Sequence, residues 1–332
     1  MSARPALALL FAALFVAAIV QAHVPLAQVE NTRLGTAMRI DDPEKSYVVY
    51  AELSGRGEAQ YYRFDFRQGE RWTLSLMVPE PGGFVPDLVV MGPDVPAFGT
   101  PPPAVEIPAN ARVRHIGGIA PRVAEYEPFT PSAVYEVASY QQEIGAAGTY
   151  YAVVYAPASG GRYSLAPGYR EEFTPSEWLL VPISVVNTRL WEGQPAWLVF
   201  APLFVVLIAA AAAIVAWGLR NPLPSSFFAI LGGAAGLLYI GTSGMQTLQA
   251  GLALAKTGFS EGVVLTAIFI LIPLVLGIAA LIIALRADRP VTVGRRIAIA
   301  VVGALGLVFW AGLVVGPVLA LAASVVPVRD VP

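Results

Sequence analysis

The strongest constraint on this chain is a block of four long apolar runs near its C-terminal end. They cover residues 197–217, 226–255, 262–285 and 297–323, and none contains Asp, Glu, Lys, Arg or His. A helix needs about 20 apolar residues to cross a hydrocarbon layer roughly 30 Å thick. Each run reaches that length. Backbone N–H and C=O groups in lipid must pair within their own segment, which leaves the helix as the fitting conformation. The expectation is a four-span α-helical transmembrane domain with the lipid bilayer as its first partner.

Basic residues orient the block. Arg220 lies in the first loop, and Arg286, Arg289, Arg295 and Arg296 lie in or beside the third. Only Lys256 lies in the second loop, and Arg329 in the 324–332 tail. An excess of Lys and Arg marks cytoplasmic loops. Loops one and three are therefore expected inside, and the N-terminal domain and C-terminus outside a cytoplasmic membrane that the chain crosses several times. Trp191, Trp197 and Trp217 stand where interfacial aromatic anchors belong. Charge-free spans argue against pumps, coupled transporters and charge-lined channels, which need ionisable groups at membrane depth.

The second run is the polar one, with Thr242, Ser243, Gln246, Thr247 and Gln249 after a glycine-rich half. Three readings stay open: interhelical hydrogen bonding, a polar cavity, or a span that ends early. Gly232 and Gly236, like Gly312 and Gly316, have the spacing that lets helices approach closely. Pro273 and Pro317 are expected to kink their helices. Gly241-Thr242-Ser243-Gly244 resembles the GxSG nucleophile motif of rhomboid intramembrane proteases, but the block has no histidine to serve as base.

Residues 1–22 have the form of a secretory signal: Arg4, an apolar core over residues 6–20, and a small-residue cleavage site ending at Ala22. An uncleaved anchor would leave the next domain on the same side. The chain has no cysteine, so disulfides and thiolate chemistry are excluded. Residues 23–196 carry 13 Lys and Arg against 20 Asp and Glu, a net of −7. That balance does not favour nucleic acid or anionic lipid.

Short runs rich in Tyr, Val, Phe and Leu cover residues 46–53, 59–66, 70–78, 87–91, 133–139, 149–156 and 161–166, with turn residues between them. Tyr62-Arg63-Phe64-Asp65-Phe66 alternates as a strand with one wet face does. Such spacing predicts an all-β sandwich or jelly roll over residues 23–172. A proline-rich insertion over about residues 93–131 interrupts it, with one hairpin expected near residues 112–116.

Tyr61-Tyr62-Arg63-Phe64, Gly69-Glu70-Arg71-Trp72-Thr73-Leu74, Pro86-Asp87-Leu88, Gly148-Thr149-Tyr150-Tyr151-Ala152-Val153 and Gly161-Arg162-Tyr163-Ser164-Leu165 carry a resemblance. In that order they are similar to bacterial pre-peptidase C-terminal domains. The resemblance covers about residues 46–169. It implies a small jelly-roll module that binds a substrate or a surface, and it brings no ligand positions with it. The whole architecture also resembles uncharacterised membrane-anchored proteins of methanogenic archaea, which implies no activity.

Thr174-Pro175-Ser176-Glu177 reads as a helix start, with proline at the first helical position and glutamate three residues after the cap. An amphipathic juxtamembrane helix or linker is expected over residues 173–196, disturbed by Pro182.

The chemistry is sparse. Cleavage after Ala22 would make His23 the new N-terminus, and with His115 it could form a copper brace on a β-sandwich. That pair is the one candidate metal site. Asp41 and Asp42, Glu125 and Glu127, and Glu171 and Glu172 read as surface charge, since their spacing matches no calcium loop. No Walker loop, dinucleotide fingerprint, HExxH or hydrolase elbow is present. The leading expectation is a non-enzymatic protein without cofactor. It displays a β-sandwich that binds a cell-envelope component or a partner protein. The alternative is a subunit of a membrane complex whose helical block is the functional part.

Overall fold

The computed structural model describes residues 23–80, 82–219, 226–286 and 290–327. The signal expected at residues 1–22, most of the 324–332 tail, and Arg220, Arg289 and Arg329 lie outside the described residues. The chain forms two compact units, and the division is not a single cut. The first holds residues 1–126 and 133–174; the second holds Glu127–Ser132 together with Pro175–Pro332.

The first unit is built from two sheets. One has six strands: β1 (Val24–Leu26), β3 (Tyr47–Leu53), β5 (Arg71–Val78), β8 (Glu125–Glu127), β9 (Ser132–Glu143) and β11 (Gly161–Pro167), in the order β1-β3-β11-β5-β9-β8. The other has five: β2 (Met38–Ile40), β4 (Ala59–Phe66), β6 (Asp87–Gly92), β7 (Arg112–Ile116) and β10 (Gly148–Tyr155), in the order β2-β4-β10-β6-β7. The short β1 and β2 pair in parallel with β3 and β4, and the central pairs are antiparallel. All seven expected strands are present. The unpredicted β1, β2 and β8 have three residues each, too short to show a period.

Alternation supplies the core. Phe64, Phe66, Trp72, Tyr140 and Tyr150 come from both sheets and meet in one cluster, with ring centroids 5.3–6.0 Å apart. Tyr62 and Tyr163 share a hydrogen bond of 2.7 Å across it, which satisfies two buried hydroxyls.

The proline-rich insertion covers a second face. Tyr61, Val89, Met91 and Val153 point away from the main core and are buried with Val105 and Val113. The Glu106 N–H donates to the Tyr61 hydroxyl at 2.8 Å. This explains why β4 and β6 are buried on nearly every residue, where a one-sided sheet would alternate. The region around residues 112–116 is a single strand on the sheet edge.

The second unit begins with α1 (Pro175–Trp191), which starts with Pro175 as its first residue and runs through Pro182. Among the described residues, three helices are long and apolar enough to cross a membrane: α2 (Ala196–Gly218), α3 (Phe227–Thr257) and α4 (Val263–Leu285). Glycines set the α3–α4 approach. A Cβ on Gly236 would come 2.8 Å from the Gly277 carbonyl oxygen, and one on Gly232 would come 2.8 Å from Ala284 Cβ. The 232/236 pair therefore sits at a close helix contact.

The fourth apolar run corrects the expectation. Residues 297–323 are not one helix but two, α5 (Val293–Val308) and α6 (Val315–Val325), separated by a short 3₁₀ turn. Trp310, Gly312, Leu313 and Val314 all take positive φ, between 54° and 69°. Those angles reverse the chain, and α6 returns along α5. A Cβ on Gly303 would meet Leu321 and Ala320, and the Arg296 guanidinium donates to the Ser324 carbonyl at 2.8 Å. Only a hairpin brings the start of α5 beside the end of α6. Gly312 and Gly316 accordingly do not share a helix; both pack on Tyr239 of α3. Pro317 sits in the first turn of α6, where its missing N–H leaves no helical bond unmade, and it kinks nothing.

Candidate functional site

The second unit holds a partly enclosed pocket of about 40 Å³. That is room for roughly three water-sized groups. Its apolar wall includes Val185 of α1, Val199 of α2, Met245 of α3, Phe269 of α4 and Leu313 of the hairpin turn. Its polar wall is Arg189, Thr242, Gln246 and Gln249. The polar residues of the second run thus combine two of the three readings made for them. Ser243 Oγ donates to the Ile270 carbonyl of α4 at 2.8 Å, and the Gly312 N–H donates to Thr242 Oγ1 at 2.9 Å. Gln249 and Gln194 exchange amide hydrogen bonds of 2.8 and 2.9 Å. Gln246 lines the pocket.

Arg189 is the residue that sequence reasoning missed. It lies in the last turn of α1, and only 2% of it is exposed. Nη1 donates to Glu192 at 2.9 and 3.1 Å and to Ser132 Oγ at 2.7 Å, while Nη2 donates to the Thr130 carbonyl. The Glu192 side chain is itself only 14% exposed. A helix C-terminus favours a cation, and the carboxylate three residues on supplies the counter-charge that burial requires. An i, i+3 Arg–Glu pair in the sequence looks like ordinary surface decoration, so nothing local announced its burial.

The partner segment is Glu127–Ser132. Glu127 was read as surface charge; it caps its own loop instead, accepting from the Thr130 N–H and Thr130 Oγ1 at 2.6 Å each and from the Phe129 N–H at 3.2 Å. Burial pushes its carboxyl above the ordinary glutamate value, against the pull of those donors and of Arg189. Pro128 accepts from Thr266 Oγ1 of α4 at 2.7 Å. Phe129 packs on Phe269 and Trp310 with ring centroids 5.7 and 6.0 Å away, and Trp310 stacks on Phe269 at 4.7 Å. The turn between α5 and α6 is held in its left-handed conformation by these rings and by Thr242.

Two donors are left over. Arg189 Nε and Trp310 Nε1 are buried and make no hydrogen bond among the described residues, and both residues line the pocket. A buried donor without an acceptor costs about 1–3 kcal/mol. Val314 at φ 67° adds backbone strain at the same turn, since a β-branched residue avoids that region.

The predicted copper pair is not brought together. His23 precedes β1 and hydrogen-bonds Ser46 Oγ at 2.5 Å; burial lowers its pKa to about 4. His115 is on β7 at the end of the other sheet, bonded to Asp87 at 2.8 Å and to the Thr100 carbonyl at 2.9 Å. The segment after β7 bonds to β9 through Ile119 and Val137, on the side away from β1. Among the described residues, no group of three or more His, Asp or Glu is placed to hold a metal.

No protein-family model and no curated protein matches the chain. Among solved structures it is similar to the crystal structure of Aeromonas hydrophila PliG, a periplasmic lysozyme inhibitor of g-type lysozyme. The two share 13% identity over 45% of this chain and 96% of that chain, with a TM-score of 0.22. A likeness that slight carries nothing about this chain's fold or activity.

Proposed function

We propose that this is a multi-pass protein of the cytoplasmic membrane whose helical unit is its working part, with the pocket as a binding site for a lipid-soluble molecule. The β unit stands outside, as a pre-peptidase-like module. The observation that carries the reading is the pocket itself: Gln246 and Gln249 line it, and a buried arginine reaches it. Polar groups at membrane depth are expensive and mark function by default. No catalytic step is proposed.

In this reading α2, α3 and α4 cross the bilayer, and α5 and α6 form a re-entrant hairpin entering from the inner side. Arg286, Arg295 and Arg296 then lie inside with the end of α6, and the C-terminus, first expected outside, is cytoplasmic. The uncovered apolar face of α1, with Leu180 at 55% and Ile183 at 48% exposure, suits the outer leaflet. A second reading, envelope binding by the β unit, is favoured by exposed Phe98, Ile119 and Val123 in or beside the proline-rich insertion.

The test is native mass spectrometry of full-length protein extracted from its membranes. A hydrophobic small molecule should accompany the wild type and be lost from Met245→Trp, which fills the pocket. A wild type that carries nothing, or only a protein partner unaffected by Met245→Trp, would refute it. Sidedness is tested directly because the chain has no cysteine. Ser324→Cys should resist an impermeant maleimide on intact cells while Ser54→Cys reacts.

A further inference from the structure

We infer that the pocket takes an uncharged carbonyl oxygen, carried by an acyl ester or a quinone ring; the inference rests on the pocket being a ligand site. Arg189 and Trp310 both line the pocket, and among the described residues the Arg189 Nε–H and the Trp310 Nε1–H are buried without an acceptor. The missing chemistry is therefore an acceptor. A carbonyl oxygen has two lone pairs and can accept from donors of this kind.

Charge decides between a neutral acceptor and an anion. The Arg189 charge is already matched by Glu192 at 2.9 Å, and Glu127 lies near enough to feel the same guanidinium. An incoming carboxylate or phosphate would meet one cation flanked by two acidic side chains, in a setting too apolar to screen them. A neutral carbonyl satisfies the donors without adding charge. The rest of the wall, including Val185, Met245, Phe269 and Leu313, suits the carbon next to the carbonyl. A volume of about 40 Å³ admits the carbonyl and the atoms next to it, and not the rest of the molecule. The tail lies outside the pocket, so the ligand must be one that bilayer lipid already solvates.

The experiment uses full-length protein in dodecyl maltoside, a detergent with no carbonyl group. Binding of methyl palmitate, of a decyl-substituted benzoquinone and of palmitate at pH 8 is measured by native mass spectrometry and by competition. The ester or the quinone should bind at one site at least tenfold more tightly than palmitate, and which of them wins identifies the carbonyl's source. Trp310→Phe keeps an aromatic ring but removes the N–H, and should weaken the better ligand at least tenfold while the melting temperature of the unliganded protein stays within about 2 °C. Should Trp310→Phe melt lower than that, the same affinity ratio is measured well below the melting temperature of the variant, where it is folded. Palmitate binding as tightly as the neutral probes would overturn the inference, and so would unchanged affinity in folded Trp310→Phe. If a molecule from native membranes fills the pocket but no carbonyl probe displaces it, the ligand class is wrong and the site stands. If Met245→Trp changes nothing that is bound, the site itself is wrong.

Discussion

Replacing Arg189 with Met should be among the most damaging single changes in the helical unit. The guanidinium is 2% exposed and holds Glu192, Ser132 and Thr130 together. Methionine fills similar space but leaves the Glu192 carboxylate, 14% exposed, with only the Ser132 hydroxyl at 2.9 Å and the Gln194 amide at 3.3 Å. Breaking one side of a buried ion pair costs about 3–5 kcal/mol. For a unit of this size, about 1 kcal/mol corresponds to roughly 2–4 °C, so the melting temperature should fall by about 6–20 °C. The double change Arg189→Met with Glu192→Leu removes the stranded charge. What remains is small, because the Ser132 hydroxyl still donates to the Thr130 carbonyl at 2.7 Å, and the loss of their second partners costs about 1 kcal/mol. The double variant should therefore be more stable than the single one. Thermal unfolding in detergent, followed by intrinsic tryptophan fluorescence, measures both. Raising salt from 0.05 to 0.5 M should leave the wild-type value nearly unchanged, because buried pairs are poorly screened. A single variant within about 2 °C of wild type, or a double variant less stable than the single, would refute the account of Arg189 as a buried, charge-matched clamp.

Three further outcomes follow from the same structure. Gly306→Ala should destabilise by about 1–2 kcal/mol in thermal unfolding, since its Cβ would lie 2.6 Å from Tyr239 Cζ and 3.1 Å from Pro317; Gly251→Ala, with nothing within 4 Å, should be neutral or stabilising by up to about 1 kcal/mol. Glu127 has a raised pKa, so the folded state holds its proton more tightly than the unfolded state. Stability should then fall as pH rises from the ordinary glutamate value towards the raised one, and melting curves of Glu127→Gln should lose that slope. Val314→Gly relieves a valine at φ 67° and should raise the melting temperature, with a net gain of about 1 kcal/mol after the added chain entropy of glycine.

Much of the β unit was legible because sheets write their burial into alternation. Tyr62, Phe64 and Phe66 face one way and Arg63 and Asp65 the other, and the strand Ala59–Phe66 forms as read. Tyr61 broke the pattern, and nothing in the sequence told that Val105 would return to cover it. The site was legible in part. Gln246 and Gln249 stood out as polar residues in an apolar run, and both line the pocket. Arg189, Trp310 and the Glu127–Ser132 segment did not stand out. Their places depend on chain segments more than 50 residues away in sequence, which no local period encodes.

Apolar length was enough to dictate helices suited to a membrane, because only self-paired backbone survives in lipid and that requirement is local to each segment. The shape of the fourth apolar run was not dictated by it. Residues 297–323 have the composition of a span, yet they turn at residues 309–314 and double back because Tyr239 and Thr242 of α3 receive the turn and glycines at 303 and 306 let the two arms touch. A turn of that kind is stabilised by what it packs against. Composition measures how a segment prefers lipid to water; it does not measure whether a neighbouring helix offers the segment a better surface than lipid does.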